Sequence, residues 1–305
     1  MCGIVGFSKQ KLRNKVNDKF IDHGIRLLKN RGPDDFGDFY NADKSIGLGH
    51  TRLSILDLSK LGHQPMLSLD KRYSLVYNGE IYNFKELRSE LSKYFKFKSN
   101  SDTEVILYSY IHYGYSFLEK LNGIFSLAIY DKKDDQLILA RDRFGTKPLY
   151  YVKTPSGLYF ASELKALMTL EDISLDIDYA AIENYVNYLW NPSPSTPLKA
   201  IKKLEAGHYL IVKNSLIVKK DLFFKTSYNE TKETNIEKII KTTDLKLKNA
   251  ISNQLVSDVP VGAFLSGGLD SSAVVAYVKN YTEVKLPTFT IRAGSDLGMA
   301  DDYFY

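Results

Sequence analysis

Short β-rich runs separated by turn residues fill the first two thirds of the chain and limit how it can fold. They are bounded by Gly, Asn, Asp or Pro, and they read CGIVGF, SIGLGHTRLSIL, YSLVYNGEIY, GIFSLAIYD, QLILARD, LYYVKT and GLYFAS. Helices are predicted between them at 19–30, 83–93 and 103–113, where apolar residues recur every three or four positions. Asp102 and Thr103 stand where a helix N-cap is expected. Because no regular strand–helix–strand alternation joins these runs, we expect layered sheets with helices outside.

The sequence pattern changes at 190–197, where the three prolines of WNPSPSTP predict an extended connection. Two more strands are predicted at 207–212 and 216–220, and the polar stretch 225–234 is typical of a linker. An amphipathic helix then leads into VPVGAFLSGGLDSSAVVAYVKNY and PTFTIR. That order of strand, Gly-rich turn, helix and strand predicts one βαβ unit of an α/β nucleotide-binding sheet.

Composition excludes several classes of protein. Hydrophobic residues make up 44% of the chain and charged residues 25%, which is ordinary for a globular protein. The net charge of +5 is spread over scattered lysines, with no basic stripe among stacking aromatics, so no nucleic-acid partner is expected. No apolar run reaches the ~18 residues of a membrane span, and no signal-peptide core follows Met1. A single cysteine excludes a disulfide framework, and we expect a cytoplasmic protein.

The one cysteine, Cys2, lies directly behind the initiator methionine. Methionine is normally removed before so small a residue, which leaves a cysteine with both a thiol and a free α-amine. The amine titrates at about 7.7–8.0 and the thiol at about 8.5, so the amine can act as general base for its own thiol. The position is therefore either an accident or that of an N-terminal nucleophile.

A glycine-rich loop, Leu265-Ser266-Gly267-Gly268-Leu269-Asp270-Ser271-Ser272, joins an apolar strand to a helix. Bare backbone N–H groups and the helix N-terminus favour an anion there, although a plain strand-to-helix turn would also need glycines. No Gly-Lys-Ser/Thr follows, so this is not a Walker motif. The loop resembles the PP-loop of ATP pyrophosphatases. The resemblance implies that pyrophosphate, with Mg²⁺ offsetting its charge, is held by Ser266, Gly267, Gly268, Asp270 and Ser271, and that Leu265 and Ile291 flank adenine. No metal site made of protein ligands is expected.

Three polar segments of the first domain fit glutamine as a substrate. Arg52 would bind the α-carboxylate, and Asp102 with Glu80 would bind the α-ammonium. The Asn78 side chain and the Gly79 N–H would stabilise the oxyanion formed at the carboxamide. Taken singly, each segment has a plainer explanation. Arg52 could form a surface salt bridge, Asp102 could cap a helix, and Asn78-Gly79 could form a hairpin turn.

Together with Cys2, these segments resemble the glutaminase domain of glutamine-dependent asparagine synthetases. The resemblance rests on CGIVGF, RGPDDFG, GHTRLSILD, YNGEIYNFKELR, SDTEVIL, LNGIFSLAIYD, ARDRFGTKPLYY and FASELKAL, followed by SDVPVGAFLSGGLDSS. It implies an α+β N-terminal-nucleophile hydrolase fold, with two stacked antiparallel sheets between helices, followed by the beginning of an α/β PP-loop domain. The implied boundaries are 2–213 for a class II glutaminase domain, 214–234 for a linker and 235–305 for an incomplete synthetase domain.

The resemblance also implies a mechanism. Cys2, Asn78 and Gly79 would release ammonia from glutamine, which Arg52, Leu53, Ile55, Glu80 and Asp102 would also bind. ATP would then adenylate aspartate, and ammonia arriving through a protein channel would displace AMP to give asparagine. Members of this family are often dimers, which leaves a homodimer open.

The family places its second ATP loop and most of its aspartate site beyond the position of Tyr305. The chain is therefore either a fragment of a longer gene product or a truncated relative, with too few strands in its last part for an independent fold. Three alternatives stay open: another carboxylate acceptor such as a sugar acid of a surface polysaccharide, a glutaminase acting alone, and a catalytically silent module. Cys2 argues against the silent module.

Overall fold

The computed structural model describes residues 1–10, 19–228 and 232–291. The chain divides into two compact units, Met1–Thr226 and Ser227–Tyr305. Residues 229–231 of the predicted linker and residues 292–305 of the predicted synthetase domain lie outside the described residues.

Two six-stranded sheets form the first unit, and every strand pair in them is antiparallel. The strands are β1 Gly3–Lys9, β2 Asp35–Tyr40, β3 Ile46–Arg52, β4 Met66–Leu67, β5 Tyr73–Ile81, β6 Gly123–Asp131, β7 Gln136–Arg141, β8 Tyr150–Thr154, β9 Gly157–Ala161, β10 Lys202–Lys203, β11 His208–Lys213 and β12 Leu216–Leu222. The order is β10-β8-β9-β1-β3-β2 in one sheet and β12-β11-β7-β6-β5-β4 in the other.

The described part of the first unit also contains helices. They are α1 Lys19–Leu28, α2 Phe84–Leu91, α3 Asp102–Tyr113, α4 Phe117–Lys120, α5 Leu164–Leu167 and α6 Tyr179–Tyr188. On one side, α1 buries Phe20 and Ile21 against the first sheet. On the other, Tyr110 of α3 meets Tyr73 of β5 edge to face, with ring centroids 5.6 Å apart.

Strand β1 lies at the centre of the first sheet, and all seven of its residues are buried. Successive side chains of a strand point to opposite faces. Ile4 accordingly packs with Val76 of the facing sheet, whereas Val5 and Phe7 pack with α1. Apolar contacts on both faces hold the layers helix–sheet–sheet–helix, which confirms the predicted stacked sheets with helices outside.

Local details differ from the sequence predictions. The N-cap of α3 is Ser101, whose Oγ accepts the Thr103 N–H at 3.1 Å; Asp102 is already the first helical residue, so the N-cap prediction was wrong. The first unit also extends past the predicted domain end at 213, because β12 pairs along its length with β11.

The second unit holds α7 Ile236–Asn253, β13 Ala263–Phe264, α8 Leu269–Tyr281 and β14 Thr288–Phe289. Strands β13 and β14 are parallel, and α8 connects them, as the βαβ pattern predicts. Tyr277 of α8 donates its hydroxyl to Asp244 of α7 at 2.7 Å, which ties the two helices together. Across the described residues of both units, no helix combines the length and the apolar character needed to cross a membrane.

Candidate active site

A cavity of about 140 Å³ opens in the first unit, where the N-terminus meets the ends of β3 and β5 and the start of α3. This is roughly ten times the ~10–15 Å³ that one water molecule requires, so it has room for a small molecule. The residues predicted to bind or hydrolyse glutamine all line it: Cys2, Arg52, Leu53, Ile55, Asn78, Gly79, Glu80 and Asp102.

The Cys2 thiol is held at one wall of the cavity. Its Sγ accepts the Leu53 N–H at 3.4 Å and lies 3.7 Å from the Leu53 carbonyl oxygen. Arg31 fixes the backbone, because its Nε donates to the Cys2 carbonyl at 2.9 Å and its Nη1 donates to Glu163 at 3.0 Å. Burial raises the pKa of the thiol, although the Leu53 N–H opposes this effect.

Asn78 and Gly79 lie inside β5 and not in a hairpin turn. The Asn78 side chain is only 1% exposed, yet its Nδ2 has no hydrogen-bond partner among the residues that the structure describes. A buried amide without a partner costs about 1–3 kcal/mol, so a ligand that accepts from it is favoured. A Cβ on Gly79 would lie 2.1 Å from the Ile124 carbonyl oxygen, which is why only glycine fits there.

Backbone alternation in β5 directs the Gly79 N–H toward the cavity. In an antiparallel strand, N–H groups two residues apart point to the same side. Tyr77 N–H donates to Gln64 Oε1 at 2.7 Å, and Ile81 N–H donates to Asp102 Oδ2 at 3.0 Å. Both acceptors are side chains on the side of β5 away from β6, and Gly79 lies between the two donors. Its N–H thus faces the same side as the cavity.

Arg52 is buried, and among the described residues it forms no salt bridge. Its Nη1 donates to the Ser59 carbonyl at 3.0 Å, and its Nη2 donates to those of Leu56 at 3.1 Å and Asp57. A guanidinium has five N–H donors, so two remain for a ligand. A Cβ on Gly62 would lie 2.0 Å from Nη2, so a side chain there would displace the guanidinium from these carbonyls.

Asp102 places its carboxylate in the wall instead of capping its helix. Oδ2 accepts the Tyr77 hydroxyl at 2.8 Å as well as the Ile81 N–H, and the residue is 4% exposed. Burial raises the pKa of Asp102, and these hydrogen bonds oppose the rise. Burial also raises the pKa of Glu80, the second carboxylate of the cavity. Both carboxylates have lone pairs left for an ammonium group.

Several residues of this wall were not predicted from the sequence. Gln64 Oε1 accepts the Tyr77 N–H of β5, and Gln64 Nε2 donates to Thr103 Oγ1 of α3 at 3.3 Å. This side chain thus links the strand to the helix. Lys147 also lines the cavity. It belongs to ARDRFGTKPLYY, whose lysine after Gly-Thr is a visible signal, but the segment alone assigns it no role.

The predicted nucleotide loop follows β13 in the second unit. Gly267 takes a φ of +84°, which a side chain would disfavour, and the Ser266 and Ser271 hydroxyls lie 3.1 Å apart. Gly268 occupies the N-cap position of α8, and no side chain caps that helix. Its first N–H groups thus remain available to an anion. Leu265 N–H donates to the Phe289 carbonyl at 2.9 Å, which places Leu265 beside the strand that leads to the exposed Ile291.

No group of three or more His, Cys, Asp or Glu side chains within 1–10, 19–228 and 232–291 could hold a metal ion. Asp270, in the first turn of α8, is the loop's own carboxylate.

Both units match models of known protein families. The family model described as a glutamine amidotransferase domain matches residues 1–223, and the one described as asparagine synthase matches residues 242–303. The chain is similar to a glutamine-hydrolysing asparagine synthetase of Bacillus subtilis, at 38% identity over 95% of this chain and 46% of the relative. It is also 38% identical to a putative asparagine synthetase of Methanocaldococcus jannaschii, over 95% of this chain and 59% of the relative. The chain thus spans about half the length of these curated relatives.

Among solved structures, the glutamine phosphoribosylpyrophosphate amidotransferase of Bacillus subtilis resembles this chain with a TM-score of 0.55. The match covers 97% of this chain and 70% of that one at 16% identity, so it bears on the fold alone. It confirms the N-terminal-nucleophile type of stacked sheets.

Proposed function

The chain belongs to the glutamine amidotransferase domain family over residues 1–223, and we propose from this premise that its cavity hydrolyses glutamine with Cys2 as the nucleophile. One observation carries the proposal. The Cys2 thiol lines the same cavity as the Asn78 amide, a buried donor that has no partner among the described residues. A cavity with an unused donor near a thiol suits a reaction in which an oxyanion forms.

Removal of Met1 starts the mechanism, because it transfers the free α-amine to Cys2. The amine takes the thiol proton as Sγ attacks the carboxamide carbon of glutamine. The oxygen that becomes negative accepts hydrogen bonds from Asn78 Nδ2 and Gly79 N–H. Collapse of this intermediate breaks the C–N bond, the proton passes from the amine to the leaving nitrogen, and ammonia departs from a thioester.

Water completes the cycle. The same α-amine removes a proton from water as the oxygen attacks the thioester, and the thiol is regenerated with release of glutamate. During both steps Arg52 would hold the α-carboxylate with its two remaining N–H groups. Glu80 and Asp102 would hold the α-ammonium, and Leu53 and Ile55 would contact the substrate between these charged ends.

Glutamate release by the chain with Met1 removed tests this proposal. We expect hydrolysis of glutamine in this form and none in Cys2→Ala. A form that keeps one extra residue before Cys2 should also be inactive, since its amine is displaced from the thiol. Activity that survives either change would contradict the assignment of Cys2.

For the full-length protein we propose synthesis of asparagine, with ATP and aspartate as the further substrates. The match of residues 242–303 to asparagine synthase supports this proposal, as does the glycine-rich loop Ser266–Ser271, which leads into a helix with no side-chain cap. Ser266, Gly267, Gly268, Asp270 and Ser271 would hold the pyrophosphate, and Leu265 with Ile291 would flank the adenine. Mg²⁺ bound to the nucleotide would neutralise phosphate charge, which favours cleavage between the α- and β-phosphates.

Exchange of pyrophosphate into ATP, measured on the full-length protein, tests this second proposal. We expect exchange that depends on aspartate and on Mg²⁺ and that EDTA abolishes. Exchange that depends on a sugar acid and not on aspartate would replace the proposed acceptor. Gly267→Val should reduce the exchange without changing glutamine hydrolysis in the other unit.

A further inference from the structure

Lys147 brings a positive charge to the cavity that nothing in the described part of the chain neutralises directly. It lines the cavity together with Cys2, Glu80 and Asp102. Within the described residues, its ammonium has no hydrogen-bond or ion-pair partner, and its only such contacts are made by its backbone.

That backbone is fixed at both of its polar atoms. Arg141 Nε donates to the Lys147 carbonyl at 2.7 Å, and the same guanidinium also donates to the carbonyls of Gly145 and Leu204. The Asp142 carboxylate accepts the Lys147 N–H at 2.9 Å and the Thr146 N–H at 3.0 Å. Arg141 and Asp142 are both buried, so the loop that carries Lys147 starts from a fixed position.

The other charges around Cys2 differ from Lys147 in their contacts. Arg31, just after α1, is paired with Glu163, and Arg52 of β3 is occupied by three backbone carbonyls. On the negative side, Glu80 of β5 and Asp102 of α3 face the cavity. Lys147 is therefore the cation on this wall whose charge is least compensated by direct contacts within the described residues.

We propose that the Lys147 ammonium tunes the amine–thiol pair of Cys2, keeping the amine unprotonated and easing ionisation of the thiol at neutral pH. The inference rests on the proposed function, in which Cys2 is the nucleophile and its own amine the base. A nearby positive charge disfavours a second ammonium and favours a thiolate, so both effects act in the same direction. Lys147 acts through Cys2 and is a positioning residue.

Electrostatics supports the geometry. While Met1 is in place, burial lowers the pKa of the terminal amine. Cys2 raises this pKa, and the charges of Arg31 and Lys147 lower it further. Burial lowers the pKa of Lys147 itself, whereas Glu80 and Cys2 raise it. Lys147, Cys2 and Glu80 thus act on one another electrostatically across the cavity that all three line.

Alkylation of Cys2 by iodoacetamide tests the proposal directly, because Cys2 is the only cysteine in the chain. With Met1 removed, we expect Lys147→Gln to move the pH midpoint of alkylation upward by about half a unit to one unit. Lys147→Glu should move it further, and Lys147→Arg should leave it near the parent value. Lys153→Gln, the same change at an exposed lysine of β8, is the control and should not move it.

The acidic limb of kcat/KM for glutamine should move upward in the same variants and in the same order. A midpoint that stays unchanged in folded Lys147→Gln and Lys147→Glu would overturn the proposal. Failure of the parent to hydrolyse glutamine, despite a midpoint that moves as expected, would instead contradict the proposed function. The two failures are thereby distinguishable.

Discussion

The carboxylate of Asp102 accepts the hydroxyl of Tyr77 at 2.8 Å, in a wall where both residues are at most 4% exposed. Burial would keep the carboxyl neutral, and the hydroxyl and the Ile81 N–H favour its charged form. The bond thus joins the strand that carries Asn78 and Gly79 to the helix that carries Asp102. It also sets the charge that would meet the substrate's ammonium.

Tyr77→Phe should weaken glutamine binding more than it slows the chemical step. Loss of the hydroxyl raises the pKa of Asp102 further, so the carboxylate is ionised only at higher pH. We expect KM for glutamine to rise roughly tenfold, about 1.4 kcal/mol, with a smaller change in kcat. Steady-state kinetics from pH 5 to pH 9 should show the largest increase in KM at the acidic end. An equal increase at every pH would contradict this explanation.

Asn78→Ala should lower kcat for glutamine hydrolysis by about 10²–10³. The fold should be little affected, because Nδ2 of this side chain has no partner to lose among the described residues. Thermal unfolding and glutamate release, measured on the same sample, check both parts. Asn100→Ala, at an exposed asparagine, is the control. A large loss of stability in Asn78→Ala would assign the amide a structural role.

Gly79→Ala should damage the fold as well as the reaction. Its Cβ would lie 2.1 Å from the Ile124 carbonyl oxygen and 2.7 Å from the Phe125 Cα, and backbone atoms cannot move aside easily. We expect a loss of about 1–3 kcal/mol in the free energy of unfolding. The comparison is Gly268→Ala, since a Cβ there meets only Ser266 Oγ at 3.4 Å. Urea denaturation of both variants measures the loss of stability in each. A loss as large in Gly268→Ala as in Gly79→Ala would show that the close contacts of the added Cβ are not its cause.

The first unit should lose stability in acid through Asp131. Arg72 binds this carboxylate through Nε at 2.8 Å and Nη2 at 2.6 Å. Burial alone would raise the pKa of Asp131, but Arg72 and the Lys133 N–H bring it below its usual range. The stabilisation is therefore present above the unfolded pKa of about 3.9 and is lost as the pH falls through the lower folded value.

Asp131→Asn should remove this dependence. We expect it to cost about 1–3 kcal/mol at pH 7, because the buried partner of Arg72 loses its charge. The difference between variant and parent should shrink when urea unfolding is repeated near pH 3. A difference that is the same at both pH values would exclude the ion pair as its cause.

The sequence predicts the long apolar elements of the fold well. The pattern around GIFSLAIYD gives β6 with its observed bounds, since a nearly continuous apolar run fills it. Strand β2, Asp35–Tyr40, was not predicted, because Asp and Gly disfavour strands and only its pairing with β3 makes one. Helix α6, Tyr179–Tyr188, was also missed and has one buried residue, Ala181.

The sequence motifs predicted many of the residues that line the candidate site, but they did not predict which other loops would contact it. The predicted residues of the first unit line one cavity, although an Asn-Gly pair also favours a turn. The pairing of β5 with β6 makes Asn78 and Gly79 part of a strand and not of a turn. Gln64 and Lys147 line the cavity from the loops that precede β4 and β8. No local sequence pattern predicts such contacts.

The brevity of β4 has a consequence for how this pocket is built. Met66 and Leu67 pair with Leu75 and Ser74, and no strand in the described part of the chain pairs with the outer edge of β5 from Tyr77 onward. The side chains of Gln64 and Asp102 stand in for the missing carbonyls at two positions, and the place between them is left open. A β4 longer by a few residues would extend the ladder over that gap and seal it. The aperture is thus made by ending a strand early.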